Sequence, residues 1–225
     1  MDSLFPFELL QTLQQSGVAA VLVLDDPDAA VPIARALLDG GVSVVELTLR
    51  TPAAFECIRN ITQAVPEMKV GAGTVLTTDQ ADQASSAGAQ FAVAPGTNVG
   101  VIRHATHIGL PFAPGVMTPT DIDIAVQCGC RELKFFPAVP SGGIPLLKSL
   151  AAPFRHLGLR YIPLGGVGAS NLKEWISEPD VLTVGGSWLV PADSVASGDW
   201  HSITRNAAEA VQIVADARHG GDHPG

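Results

Sequence analysis

Strand-like and helix-like segments alternate along nearly the whole chain, and this alternation restricts the fold more than any other feature. Short Val-rich runs read as strands at 18–24, 42–49, 69–75, 90–94, 110–116, 132–136, 160–164 and 181–184. Helix-like stretches follow them at 28–39, 53–64, 78–87, 99–106, 119–128, 144–151, 171–175 and 201–217. The strands are almost continuously apolar, as expected of a parallel sheet covered on both faces. Eight βα units of about 20–30 residues each suit a (β/α)8 TIM barrel, which is the expected fold. An open doubly wound sheet has the same alternation and remains the alternative, because periodicity does not reveal closure. An amphipathic segment at 5–15 adds an N-terminal helix that could cap the barrel bottom. The expected organisation is one barrel domain over 1–225, with the extra helix inside 1–17 and a polar, Gly-rich, frayed tail at 218–225.

Apolar residues make up 47% of the chain and charged residues 16%, which points to a packed globular protein and not a disordered one. A net charge of −9 disfavours nucleic acid and anionic membrane as partners. No apolar run is long enough for a membrane span, and the first residues lack the basic start of a secretory signal. Cys57, Cys128 and Cys130 fit neither a zinc nor a thioredoxin spacing, read as small apolar fillers, and suit a reducing cytoplasm. His104 and His107, beside Arg103 on one helix, read as a solvated face, and no His, Asp or Glu cluster has a metal-ligand pattern. Neither a metal nor another cofactor is expected.

In a barrel, polar residues on otherwise apolar strands point to the active site, which lies at the C-terminal mouth. Side chains alternate faces along a strand. Along 42–50, Glu46, Thr48 and Arg50 share one face while Val45, Leu47 and Leu49 share the other. The apolar set should meet the outer helices, so Glu46, Thr48 and Arg50 should point inward. In the sixth strand Lys134 shares its inward face with Glu132 and Phe136. In the third, Val70, Ala72 and Thr74 share a face, bringing Thr74 to the mouth. Of the four lysines, Lys69 precedes a strand at the bottom, and Lys148 and Lys173 lie in helical segments; only Lys134 sits within an apolar strand. A lysine amine attacks carbonyls only when uncharged, and apolar surroundings with a nearby cation favour that form. Glu46 is then the proton shuttle. A structural Lys134–Glu46 ion pair is the bland reading, but buried pairs are poor stabilisers, so two ionisable groups in one core favour a functional role.

Gly165-Gly166 follows the seventh strand and Gly185-Gly186 the eighth, with Ser187 next and Ser170-Asn171 as a helix cap beyond the first pair. Those two loops commonly hold phosphate in barrels, through backbone N–H groups that glycine lets approach the anion. Pro95, at the end of the fourth strand, could shape a pocket wall. Trp175, Trp188 and Trp200 read as packing residues.

The segments Glu46-Leu47-Thr48-Leu49-Arg50-Thr51, Gly71-Ala72-Gly73-Thr74-Val75, Lys134-Phe135-Phe136-Pro137-Ala138 and Gly185-Gly186-Ser187-Trp188-Leu189-Val190-Pro191 occur in this order. Together they resemble the 2-keto-3-deoxy-6-phosphogluconate (KDPG) / 4-hydroxy-2-oxoglutarate (KHG) aldolases, over roughly residues 18–215. The resemblance implies a class I aldolase, a homotrimer, and cleavage of a phosphorylated 2-keto-3-deoxy sugar acid to pyruvate and glyceraldehyde 3-phosphate, as in the Entner–Doudoroff pathway. It implies that Lys134 forms the Schiff base and Glu46 is the general acid/base. Arg50 and Thr74 would hold the pyruvate carboxylate, Pro95 and Phe136 would wall that pocket, and Gly165, Gly166, Gly186 and Ser187 would form the phosphate site. One position departs from the pattern. Members that prefer KDPG have Pro-Thr-Gly-Gly after the seventh strand, where this chain has Pro163-Leu164-Gly165-Gly166. Leucine cannot bond the substrate's C4 hydroxyl, so the galactonate epimer and 4-hydroxy-2-oxoglutarate stand beside KDPG as substrates. A sugar-phosphate isomerase or epimerase with Glu46 as base, and a non-catalytic phosphate-binding barrel, are the readings from other classes.

Overall fold

The computed structural model describes residues 3–219; the expected frayed tail falls almost wholly outside them. Helix α1 (Phe7–Ser16) leads into β1 (Val18–Leu22), α2 (Ala30–Asp39), β2 (Val44–Thr48), α3 (Ala54–Ala64), β3 (Lys69–Gly73), α4 (Thr78–Ser86) and β4 (Phe91–Val93). Then come α5 (Val99–His107), β5 (Phe112–Ala113), β6 (Gly115–Val116), α6 (Pro119–Gln127), β7 (Glu132–Phe135), α7 (Gly143–Ala151) and β8 (Arg160–Pro163). Helix α8 (Ala169–Ile176), β9 (Val184–Gly186), α9 (Ala192–Ser197) and α10 (Trp200–His219) complete the order. All pairings are parallel, in the orders β5-β4-β3-β2-β1-β9 and β6-β7-β8. The fold is thus α/β, with a curled parallel sheet. Among the described residues no helix is long and apolar enough to cross a membrane.

Three elements differ from the sequence reading. The fifth strand, expected as one run at 110–116, is split into β5 and β6 at Pro114, which has no N–H for the ladder. The last strand lies at Val184–Gly186 instead of 181–184, so its glycine pair belongs to the strand; Val181 makes only an isolated bridge to Tyr161. Helix α9 lies in a stretch expected to be loop, where Pro191 precedes it and Gly198 ends it in a left-handed conformation. The other strands and helices appear within a few residues of expectation, α1 included.

The sheet separates two apolar layers. Val45, Leu47, Val70, Ala72, Leu133 and Phe135 pack outward against the helices. Ala19, Val44, Phe91, Val93, Ala113, Ile162, Leu164 and Leu182 form the inner layer, which Phe5, Leu9 and Leu13 close at one end. Each of those three plugging side chains contributes up to about 1.5–3 kcal/mol by burial. Ser3 donates from its Oγ to Glu132 Oε2 at 2.7 Å, tying the N-terminal segment to the foot of β7. Glu132 is buried, and burial holds its carboxyl above the usual range, against the hydrogen bond from Ser3.

Candidate active site

Strand alternation on β2 turns Val45 and Leu47 toward the helices and leaves Glu46 and Thr48 on the inner wall. On β7 the same alternation turns Leu133 and Phe135 outward and Lys134 inward. Lys134 Nζ and Glu46 Oε1 meet at 3.0 Å, and each residue is only 4% exposed. The Phe136 ring centroid lies 5.5 Å from Nζ, a cation–π distance. Lys134 is the one polar partner of the Glu46 carboxylate among the described residues.

The pair opens into a cavity of about 360 Å³. Arg50, Thr74, Pro95, Phe136 and Leu164 line it, and so do Gly165, Gly166, Gly186 and Ser187, so every site residue expected from sequence is in one place. Val21 and Val167 also line it and were not expected, since nothing separates them in sequence from ordinary strand and loop valines. A larger groove of about 680 Å³ runs alongside, bordered by Asp25, Asp26 and the start of α9. No lysine lines it, whereas the smaller cavity holds the contacting amine and carboxylate and is the candidate site.

Thr74 gets there by an unexpected route. Val70 and Ala72 face the helices, and the inner face of β3 consists of Gly71 and Gly73. Thr74 lines the cavity because its backbone turns to φ 59°, the one positive φ among the described non-glycine residues. A β-branched residue there is a genuine outlier, costing about 1–2 kcal/mol, and such strain concentrates at functional sites. Arg50 also differs from expectation. It lies past the end of β2, exposed at the rim, and its Nε donates to Thr48 Oγ1 at 3.4 Å. Thr48 Oγ1 in turn donates to the Leu22 carbonyl at 3.0 Å.

Also lining the cavity, Gly165 (φ 92°) and Gly166 (φ 80°) make a turn that side chains other than glycine resist. The cap beyond it comes from Asn171, whose Oδ1 accepts from the Gly168 N–H at 2.9 Å and whose Nδ2 donates to the Gly166 carbonyl at 3.1 Å. Ser170 takes no part in it. Gly185 leaves room for Leu164 and Gly186 for the Trp188 ring.

The remaining titratable groups stand apart. Lys148 pairs with Glu178 on the surface, and His104 bonds Asp82 at 2.8 Å, bridging α5 to α4. Burial pushes the Cys57 thiol up to about 11 and Cys130 to about 12, as fits packing residues and not nucleophiles.

An amine and a carboxylate in contact on the wall of a cavity that a guanidinium and a glycine turn also line can capture a carbonyl and move protons around it. Residues 9–206 match the family model for KDPG and KHG aldolase. A 2-dehydro-3-deoxy-phosphogluconate aldolase of Dickeya dadantii is 45% identical over 201 residues, covering 89% of this chain and 93% of the relative. A KHG/KDPG aldolase of Escherichia coli is 43% identical over 200 residues, with 89% and 93% covered. The crystal structure of KDPG aldolase from Legionella pneumophila, with pyruvate captured as a covalent carbinolamine intermediate, superposes with TM-score 0.84 at 34% identity, covering 88% of this chain and 96% of that one.

Proposed function

The chain belongs to the KDPG and KHG aldolase family, and from that premise we propose that it cleaves KDPG to pyruvate and glyceraldehyde 3-phosphate through a Schiff base on Lys134. The observation that carries this reading is the 3.0 Å contact between Lys134 Nζ and Glu46 Oε1 on the wall of the cavity.

Lys134 gives a proton to Glu46 and attacks the C2 ketone. The bonded nitrogen passes a second proton to the oxygen, and the resulting carbinolamine hydroxyl takes the proton held by Glu46 and leaves as water, forming an iminium ion. Glu46, through a water molecule, then removes the C4 hydroxyl proton. The C3–C4 bond breaks, its electrons pass into the enamine, and the aldehyde departs. Glu46 returns the proton to C3, and hydrolysis frees pyruvate and the amine. Arg50 and Thr74 hold the keto-acid carboxylate, and Pro95 and Phe136 wall it in. Gly165, Gly166, Gly186 and Ser187 hold the phosphate at the far end. Leu164 lines the stretch between, where a C4 hydroxyl would lie, so the C4 epimer and 4-hydroxy-2-oxoglutarate are further substrates on this reading. No cofactor enters any step.

The finer architecture is a closed (β/α)8 barrel in one domain. Support for closure comes from the isolated parallel bridge between Leu164 and Gly185, and from Pro114, which joins β5 to β6 and accepts from the Lys134 N–H at 2.9 Å. The assembly is a homotrimer, which would cover exposed apolar side chains such as Val23, Leu76 and Val139. Three free cysteines suit the cytoplasm. Borohydride reduction in the presence of pyruvate tests the chemistry: pyruvate mass should appear on Lys134, and Lys134→Ala should abolish cleavage. Unchanged turnover in that variant would refute the assignment.

A further inference from the structure

We propose that Gly73 is a positioning residue for this reaction: the space left by its missing side chain is where the Glu46 carboxylate rests against Lys134. The inference depends on the roles given to Lys134 and Glu46 above. Strands β2 and β3 pair with Glu46 opposite Gly71 and Thr48 opposite Gly73, so the Glu46 side chain lies beside bare backbone. A Cβ built on Gly73 would fall on that side chain, 2.6 Å from Glu46 Cδ and 2.7 Å from Cγ, with Oε1 nearer still. Real Cβ contacts essentially never come below 3.0 Å.

What the obstruction consists of sets Gly73 apart from its neighbours. A Cβ at Gly115 would meet the backbone of Pro95, which cannot step aside. One at Gly71 would enter the buried Phe91 ring. At Gly73 the three nearest atoms all belong to the outer part of the Glu46 side chain, and the backbone lies outside the left-handed region. Alanine therefore suits the backbone of β3, and what it displaces is the carboxylate. Moving Cδ from 2.6 Å out to the 3.4 Å of ordinary contact is a shift of about 0.8 Å. Misplacement on that scale costs on the order of a hundredfold in rate.

The test compares the parent enzyme, Gly73→Ala, Glu46→Gln and the double variant. Borohydride trapping at equilibrium reads the imine on Lys134. Exchange of the pyruvate methyl protons in deuterated water reads proton transfer at C3. In Gly73→Ala the trapped fraction should stay within about threefold of the parent, while exchange and KDPG cleavage fall about a hundredfold. Glu46→Gln should slow exchange about a hundredfold in the parent but less than about threefold in the Gly73→Ala background, where the carboxylate is already out of place. That loss of additivity would not arise from a general loss of stability. Exchange in Gly73→Ala within threefold of the parent, an equal loss from Glu46→Gln in both backgrounds, or failure of Gly73→Ala to fold would each overturn the proposal. A parent that does not trap pyruvate would instead remove the Lys134 assignment itself.

Discussion

Replacing Lys134 by methionine removes one charge from a buried pair and leaves the other alone. Two unit charges 3.0 Å apart attract by about 5–6 kcal/mol at an effective dielectric of 20. Taking each ion out of water costs several kcal/mol, so the intact pair comes close to breaking even. The variant loses the attraction but keeps the cost of burying Glu46, which has no other polar partner among the described residues. The expected loss is about 3–5 kcal/mol, a large share of the roughly 5–15 kcal/mol that holds a domain together. Adding Glu46→Gln removes the orphaned charge and should restore at least about 2 kcal/mol. Urea unfolding of the four members of this cycle, at one protein concentration, measures the coupling. Additivity within about 0.5 kcal/mol would mean that the two groups do not meet in solution as they do here.

Thr74→Val keeps the size, branching and backbone strain of the original residue and deletes its hydroxyl. Stability should barely change, while the KM for pyruvate in the exchange reaction rises about 10–100-fold, the value of about 1.5–3 kcal/mol for a hydrogen bond to a charged group; an unchanged KM would remove Thr74 from carboxylate binding. Leu164→Thr introduces a hydroxyl at the wall facing C4 and should change the kcat/KM ratio of KDPG to its C4 epimer by about fivefold, which competition kinetics with both epimers would detect; an unmoved ratio rules out control from this position. Glu132 provides a pH test. Because burial raises its folded-state value, protonation favours the folded form: that contribution is complete below the ordinary value of about 4.5 and is lost as pH rises through the raised one. Glu132→Gln can still accept from Ser3, so its urea midpoint should gain on the parent's as pH rises from 4 to 8; a constant difference would contradict the assignment.

Much of the site was legible because a barrel strand sorts its side chains by parity. Glu46 and Lys134 are charged residues on faces whose alternates are apolar, and parity alone places both inward. Parity misled at β3. Val70 and Ala72 look like the inner face because the true inner residues, Gly71 and Gly73, have no side chain to register as apolar or polar. Thr74 was placed in the cavity for the wrong reason, since it arrives through a left-handed backbone that sequence does not announce in a β-branched residue. Sequence puts Gly185 and Gly186 in a phosphate-holding loop after the last strand, whereas they are residues of β9, thinned for Leu164 and Trp188. Alternation points Arg50 inward only if it is extended past the end of β2; in the structure Arg50 lines the cavity from the turn after the strand.

A buried ion pair that nearly breaks even on stability still needs a reason to be there, and on the proposed chemistry the proton count of imine formation supplies one. The amine must lose one proton to attack C2 and a second on becoming the carbinolamine, and the carbinolamine hydroxyl must gain one to leave as water. With Oε1 at 3.0 Å from Nζ, the carboxyl that would accept a proton from the amine is placed to hand one to the departing oxygen. Imine formation on this scheme needs no acid or base from bulk solvent. Arg50 fits the same scheme by standing apart. Its Nε is directed to Thr48 and no ion pair joins it to Glu46 among the described residues, which leaves the carboxylate to the amine and, on the proposed reading, the guanidinium to the incoming keto acid. Were Arg50 to clamp Glu46, the shuttle and the anion site would compete for one charge; the turn after Thr48 keeps the two apart.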